Sequence, residues 1–532
     1  MAEMPAGAAA ERGPARAAAE REELRAAAER EELRAAAERE ELRAAAEREE
    51  LRTAAERAFA AALAGRAVCV TGLGVSGPPV ARALLDRGAR VTVIDGRTDE
   101  ATRERAERLR HLGARVLLGA EALPEGTDLV VTSPGWRPDA VPLVQAARAG
   151  VEVIGDVELA WRLRPAGQTW LAVTGTNGKT TTVRMLEAML RADGRSARAV
   201  GNVGTPVVEA VSPGPGEAAA DVLAVELSSF QLHWSNSLRP HAATVLNVAP
   251  DHLDWHGGLD AYAAAKGRVY APGTVRVVNA ADPLSGRLAD RADEADAAAG
   301  AAAARRVAFT LDTPRPGELG VVEDLLVDRA FVADPASTAE ELATLADVRP
   351  AAPHNVANAL AAAALARSVG VAPASVRAGL AAFAPEPHRI SPVATVAGVH
   401  YVDDSKATNP HAAAASLSAY PSIVWVAGGL LKGADVEDLV AAAAPRLRGA
   451  VLLGADRDRL RAALDRHAPA LPVVEVARSD SGAMAETVAA AAELARPGDT
   501  VLLAPAAASM DMFTDYNARG DAFAAAVRAL RG

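Results

Sequence analysis

Trp170-Leu171-Ala172-Val173 is an apolar run that leads into Thr174-Gly175-Thr176-Asn177-Gly178-Lys179-Thr180-Thr181. Val183, Leu186, Met189 and Leu190 then follow at helical spacing. A strand, a glycine-rich loop with Lys-Thr and a helix, in that order, make a phosphate cradle. Loop amides over Gly175, Thr176, Asn177 and Gly178 would surround the phosphates, with Thr181 just beyond. Lys179 would reach the β and γ oxygens, and Thr180 would sit near Mg²⁺. Val173 stands where the common GxxxxGK[ST] pattern has its first glycine. The spacing predicts ATP binding.

Further candidate ligands sit at the ends of the next apolar runs. Glu226 terminates Val222-Leu223-Ala224-Val225, where a P-loop fold places the acid that holds Mg²⁺ directly or through water. A strand expected over Thr244–Val248 leads to Pro250-Asp251-His252, so His252 falls at the carboxyl edge of the same sheet, where ligands of open α/β folds gather. A lone histidine is more often structural. Tyr262-Ala263-Ala264-Ala265-Lys266 is a helical stretch holding one of only four lysines among 57 basic residues; the others are Lys179, Lys406 and Lys432. Where arginine serves nearly every other positive charge, a surviving lysine points to chemistry that arginine cannot do. An amine with a depressed pKa can be carbamylated, and a guanidinium cannot.

Thr71-Gly72-Leu73-Gly74-Val75-Ser76-Gly77 is a GxGxxG turn between a strand and a helix, with Asp95 18 residues after the third glycine. It fits a diphosphate at a helix N-terminus; NAD, FAD and a UDP-sugar are all physically acceptable, and so is a tight turn without a ligand. Near the other end, three apolar runs stop at Asp403-Asp404-Ser405-Lys406-Ala407-Thr408-Asn409, at Gly428-Gly429-Leu430-Leu431-Lys432-Gly433 and at Ala504 through Asp511. Two lysines and neighbouring hydroxyls on one rim suit an anionic substrate such as a dicarboxylic amino acid.

The elements that must position these groups read as three α/β domains, with boundaries near 157 and 385. Strands are expected at Ala67–Thr71, Val91–Ile94, Leu129–Val131 and Val151–Ile154, then at Trp170–Val173 and Val222–Val225. A last set is expected at Tyr401–Val402, Ile423–Ala427, Val451–Leu453, Val473–Val476 and Thr500–Leu503. Stretches near 211–221 and 292–304, rich in Ala, Gly and Pro, read as surface loops. Ahead of the domains, residues 20–57 repeat the nonapeptide EREELRAAA. Nine residues advance a helix by about two and a half turns, so Leu24, Leu33, Leu42 and Leu51 alternate faces and form no coiled-coil seam.

The chain has 532 residues, enough for several cores. No apolar run reaches membrane-span length, and the charged, Ala-rich N-terminus has no secretory h-region, so a cytoplasmic protein is expected. One cysteine, Cys69, excludes an intramolecular disulfide and a thiolate zinc cluster. A net charge of -11 argues against nucleic acid as a partner.

With these motifs assembled, the chain over residues 66–532 resembles the Mur ligases. The resemblance rests on GTNGKTT at 175–181, Glu226 through Leu232, Asn247 through Asp254, Lys266, His354-Asn355-Val356-Ala357-Asn358, Pro387-His388-Arg389 and Asp404 through Asn409. The last of these, with the terminal SMDMF stretch, is similar to the D-glutamate-adding branch. The resemblance implies a helical extension over 1–65, a Rossmann-like UDP-MurNAc-binding domain over 66–157, a P-loop ATP domain over 158–385 and a Rossmann-like D-glutamate domain over 386–532. It implies ligation of D-glutamate to UDP-N-acetylmuramoyl-L-alanine through an acyl phosphate, by a monomer in the cytoplasm. Lys179, Glu226, His252 and Lys266 would be catalytic. Two Mg²⁺ ions would be held by Thr180, Glu226, His252 and a carbamylated Lys266. Asn358, Arg389 and Asp404 would contact the adenine and ribose side of ATP. Thr408, Lys432, Ser509 and Tyr516 would form the D-glutamate pocket. Val75, Ser76, Asp95, Arg97, Ser133, Gly135, Asn202 and Gln231 would bind the UDP substrate, which makes the first glycine turn a uridine-diphosphate site. Pro250 before Asp251, Tyr516 in place of Phe, and Gly96 depart from the family pattern.

Three other readings compete. Another Mur ligase or a folylpolyglutamate synthase-like ligase shares the chemistry, although the folate enzymes lack the leading domain. A nicotinamide-dependent oxidoreductase leaves the P-loop without a task. A P-loop switch module would hydrolyse ATP without the two ligation substrates.

Overall fold

The computed structural model describes residues 43, 53–54, 56–202, 204–214, 216–480 and 482–530. Most of the nonapeptide repeat, and with it the expected helical extension, lies outside the described residues. The chain divides into Met1–Gly65 and Arg66–Gly532; in the first, residues 56–61 are helical.

Arg66–Gly532 carries three sheets. The first has five parallel strands in spatial order Arg115–Leu118, Arg90–Asp95, Ala67–Thr71, Leu129–Thr132 and Glu152–Gly155. Strand order reverses beside Ala67–Thr71, so the crevice at its carboxyl end is the ligand position of an open α/β sheet. The glycine turn stands there. A Cβ on Gly77 would lie 1.9 Å from the Gly72 carbonyl oxygen, so only glycine allows that close approach, whereas a Cβ on Gly74 meets nothing within 4 Å. The middle glycine faces open space.

The second sheet has nine strands, in the order Glu340–Thr344, Leu325–Asp328, Glu318–Val322, Arg306–Phe309, Val275–Asn279, Ala242–Val245, Thr169–Thr174, Val222–Glu226 and Ala197–Gly201. The first three pair antiparallel and the rest are parallel. The P-loop strand Thr169–Thr174 therefore lies between Val222–Glu226 and Ala242–Val245, which brings Gly175, Glu226 and Asn247 to adjacent strand ends. The strand expected over Thr244–Val248 runs instead over Ala242–Val245. Beyond Val245 side chains add to the last backbone bonds, Leu246 to Thr174 and Thr176 to Asn247: Asn247 Oδ1 accepts the Asn177 amide at 2.9 Å, and Asp282 accepts the Val248 amide at 3.0 Å.

One further departure from the sequence reading has a local cause. The stretch near 292–304 is helical through residue 298, within Pro283–Ala298. Alanine is the strongest helix former, and Asp296 ties this last turn to buried Arg276. The helix Pro353–Ser368 is wrapped on every side, with Ala359 through Ala366 all 0% exposed. Small side chains let neighbouring elements approach closely, which is how a chain with 3% aromatic residues fills its largest core.

The third sheet runs Ser391–Val396, Val399–Asp403, Thr500–Leu503, Ile423–Gly428, Leu447–Leu453 and Val473–Glu475, antiparallel only at its first pair. The three strands that end in the Lys406, Ser509 and Lys432 loops are consecutive in this sheet, so those loops stand side by side.

Candidate active site

The helix Lys179–Ala192 starts directly after Gly178, whose φ of 85° turns the loop back over the helix N-terminus. A Cβ at Gly178 would fall 2.4 Å from Asn358 Oδ1, so the tight turn brings Asn358 against the phosphate loop. Lys179 Nζ donates to the Gly175 and Thr176 carbonyl oxygens at 2.9 Å each. Burial lowers its pKa, against the pull of Glu226 and Asp251.

The P-loop borders a cleft of about 550 Å³. Thr176 through Thr181 line it, together with Asn202, Glu226, Asn358, Arg389, Asp404, Thr408 and Tyr516. Groups expected at the ATP site thus share one space with two of the four expected at the D-glutamate pocket. Asn177 joins the domains across it, donating to His411 Nδ1 at 2.8 Å and accepting from Asn409 Nδ2 at 3.1 Å. Away from the P-loop, Phe309, Leu311, Pro353 and Phe383 give the cleft apolar walls.

Glu226 is 2% exposed; its Oε1 accepts from Asn202 Nδ2 at 2.9 Å, and its Oε2 has no hydrogen-bond partner among the described residues. A buried carboxylate oxygen left unpaired beside a phosphate loop is the donor a cation requires, so these residues fit Mg²⁺. Lys266 is 1% exposed and does not line the cleft. Its Nζ donates to the Gly175 carbonyl at 2.8 Å and stands 4.4 Å from the centre of the Tyr262 ring. Burial first, then the Lys179 charge, holds its pKa well below the ordinary lysine range. His252 also stands outside the cleft, with φ of 52° and its ring 4.7 Å from Phe230. Among the described residues no three His, Cys, Asp or Glu side chains converge into a metal cluster.

In the third sheet's loops, Asp404 is buried; it accepts from Ile390 N at 3.2 Å and from Ser416 Oγ. Burial pushes its carboxyl up to about 6. Lys406 Nζ lies 3.8 Å from the centre of the Tyr516 ring, and burial brings its pKa down to about 8. Ser509 is buried and Lys432 is exposed, and neither lines the cleft.

The residues expected to bind the UDP substrate gather at the first sheet's crevice and the facing edge of the second. Asp95 accepts from Leu73 N at 2.7 Å and pairs with Arg97 at 2.8 Å, which fixes the glycine turn to the next strand. Val75 is 79% exposed, and Ser133 Oγ is buried without a described partner. Ser76 and Gly135 lie in the same two loops. Gln231 closes a capping box with Ser228. Asn202 stands apart from this group, at the cleft beside Glu226.

The sequence reading passed over several groups. Tyr262 bonds to Thr176 Oγ1 at 3.1 Å and underlies Lys266; four residues earlier on the same helix, it lies on the same face, a spacing that could have flagged it. Asp156, buried beside Ser76 and Gln231, has its carboxyl pushed up to about 6 by burial. His411, Asn279, Asp282 and the apolar cleft walls carry no motif and become visible only when the domains meet.

The three sheets, the shared cleft and the P-loop are those of an amide-forming ATP ligase, and the comparisons agree. Residues 66–155 match the Mur ligase MurD-like N-terminal domain, 173–366 the Mur ligase middle domain, and 388–507 the Mur ligase glutamate ligase domain. The chain belongs to the Mur ligase family. It is 73% identical over 472 residues to a UDP-N-acetylmuramoylalanine–D-glutamate ligase of Thermobifida fusca, covering 88% of this chain and 100% of that one. The ligase of the same name from Streptomyces coelicolor is 60% identical, with 88% and 98% covered. Among solved structures, UDP-N-acetylmuramate-alanine ligase MurC from Thermotoga maritima matches with a TM-score of 0.51 at 19% identity, over 87% of this chain and 99% of that one; it shares the fold. No helix among the described residues is long and apolar enough to cross a membrane.

Proposed function

We propose that this chain joins D-glutamate to UDP-N-acetylmuramoyl-L-alanine with consumption of ATP, a cytoplasmic step of peptidoglycan precursor synthesis carried out by a monomer. The observation that carries the reading is the single cleft in which the P-loop faces the Asp404–Asn409 loop, in a chain closely similar along 66–532 to ligases of that name.

A carboxylate has no leaving group for amide formation. Its oxygen attacks the γ-phosphorus of ATP, the bond to the β-phosphate oxygen breaks, and an acyl phosphate forms as ADP leaves. The amine of D-glutamate then attacks the acyl carbon, giving a tetrahedral intermediate that loses phosphate and a proton. The protein's share is positioning and charge neutralisation. Gly175 through Thr181 cradle the phosphates and Lys179 swings from the loop carbonyls to the β/γ oxygens. Mg²⁺, held by Thr180 and Glu226, with a second ion on His252 and carbamylated Lys266, would neutralise phosphate charge. Asn358, Arg389 and Asp404 orient the nucleoside of ATP. Thr408, Lys432, Ser509 and Tyr516 receive D-glutamate, with Lys432 reaching the cleft from its exposed position. Val75, Ser76, Asp95, Arg97, Ser133, Gly135, Asn202 and Gln231 hold the UDP substrate.

Phosphate release should require UDP-N-acetylmuramoyl-L-alanine and D-glutamate together; comparable release with ATP alone contradicts the reading and favours a switch module. Deleting residues 1–57 is expected to leave kcat unchanged in that assay, since every group assigned here lies beyond them.

A pH dependence follows from Asp404. Its folded pKa of about 6 lies above the ordinary aspartate value of 3.8, so its stability contribution is present below that value and lost as pH rises through 6. Activity is expected to run the other way, because the ionised carboxylate is the stronger acceptor for a hydroxyl on the ribose side of ATP. KM for ATP is expected to climb as pH falls from 7 to 5, and Asp404→Asn should flatten that climb. An unchanged wild-type KM across this range contradicts the assignment.

A further inference from the structure

Arg519 lies in the first turn of the helix Tyr516–Ala529 and is 1% exposed. Its Nε donates to Ser405 Oγ at 2.9 Å and its Nη2 to the Ser405 carbonyl at 2.8 Å. Its Nη1 donates to the Ala507 carbonyl at 3.1 Å and to the Gly428 carbonyl at 3.4 Å. Among the described residues no carboxylate is within ion-pair distance of it. Burying a guanidinium without a direct ion pair is costly, and burial lowers its pKa to about 10 against the longer-range pull of Asp511 and Asp403. An apolar side chain would fill the same volume without that cost, so the fork of donors is what this position uses.

The acceptors identify the use. Ser405, Gly428 and Ala507 belong to the three loops that leave consecutive strands of the third sheet. Ser405 is three residues from Thr408, Gly428 is four from Lys432, and Ala507 is two from Ser509. Tyr516 opens Arg519's own helix, and its carbonyl accepts from Ser405 Oγ at 2.8 Å. The Lys432 and Ser509 loops are also joined directly, Leu430 and Ala508 exchanging amide bonds at 2.8 and 2.9 Å. Each side chain assigned to the amino-acid pocket thus sits within four residues of an Arg519 bond. Arg519 itself is too buried to touch a ligand. The ATP side is held separately, because the Asp404 carboxylate is fixed by Ile390 and Ser416.

We propose that Arg519 is a positioning residue for the amino-acid subsite, its guanidinium fixing the three loops so that Thr408, Lys432, Ser509 and Tyr516 converge on the carboxylates of the incoming amino acid. This rests on the D-glutamate reading of that pocket. A dicarboxylic amino acid needs cations and hydroxyls at two separated points; backbone bonds join the loops in pairs, Ala506 to Ala407 at 2.9 Å and Leu430 to Ala508, and the Arg519 guanidinium is the side chain that binds all three at once.

The test uses the full-length protein and phosphate release with each substrate varied in turn. Arg519→Met and Ser405→Ala are expected to raise KM for D-glutamate about tenfold or more, a loss of about 1.4 kcal/mol. KM for ATP and for UDP-N-acetylmuramoyl-L-alanine should stay within about twofold, and Arg519→Lys should fall between Met and wild type. Ser405→Ala removes one acceptor without emptying the site, so it keeps the test open if Arg519→Met fails to fold. Equal rises in all three KM values, or a fall in kcat with KM for D-glutamate unchanged, would overturn the proposal. If wild-type release depends on a different amino acid, the D-glutamate reading falls and the same comparison decides the proposal on that amino acid's KM. If no amino acid is needed, both fall.

Discussion

Lys266→Arg should cut kcat by at least about 100-fold although it keeps a positive charge. The side chain is almost wholly enclosed, donating to the Gly175 carbonyl and lying against the Tyr262 ring. Burial and then Lys179 lower the pKa of its amine, so the uncharged nitrogen is easier to reach here than at an ordinary lysine. The ammonium gives up one proton, the neutral amine adds to carbon dioxide as the N–C bond forms, and a second proton leaves, so that a cation becomes an anion beside the P-loop. Arginine stays protonated and cannot make that exchange. Phosphate release measures the loss. A control separates the carbamate from packing: wild-type rate should fall in carbon dioxide-depleted buffer and recover with bicarbonate, while the variant responds to neither. Wild-type turnover in Lys266→Arg would contradict the assignment.

The second large effect is expected at Lys179. Lys179→Met keeps the aliphatic stem and removes the ammonium that now rests on the Gly175 and Thr176 carbonyls. Charge stabilisation at a transferring phosphoryl group is worth about 10³-fold or more, and no other lysine or arginine belongs to the loop Gly175–Thr181. kcat should fall by that order, measured as ADP formed in a single turnover, whereas calorimetric binding of the UDP substrate should not change, because none of the residues proposed to hold it belongs to the P-loop. A kcat within tenfold of wild type would show that the phosphates are neutralised by other groups.

How far the sequence announced this arrangement depended on whether a feature is local. The phosphate loop, Glu226 and the first glycine turn each combine a strand end, a turn and a helix start within about a dozen residues, so spacing sufficed to place them. The scarcity of lysine was equally legible: Lys179 and Lys406 line the cleft, Lys266 lies behind the P-loop, and Lys432 stands on the adjacent rim. The helix through residue 298 was misread because its Ala and Asp residues resemble a low-complexity loop until Arg276 supplies the distant partner. His252 and Lys266 were expected as metal ligands; neither lines the cleft, His252 being exposed and Lys266 buried behind the P-loop, a difference in depth that has no sequence signature. Three of the few aromatic residues join two histidines in one cluster: Phe230, His252, Trp255, His256 and Tyr262 form a continuous chain of ring contacts. That clustering joins segments far apart in sequence, and only the fold reveals it.

The central claim, activation of a carboxylate by phosphoryl transfer before amide formation, is tested most directly by isotope transfer. UDP-N-acetylmuramoyl-L-alanine carrying ¹⁸O in both carboxylate oxygens is incubated with the full-length protein, ATP, Mg²⁺ and D-glutamate, and the phosphate is analysed by mass. The account predicts one ¹⁸O in each phosphate released and one in the amide carbonyl of the product. Unlabelled phosphate alongside amide product, or phosphate formed without any amide, would contradict it.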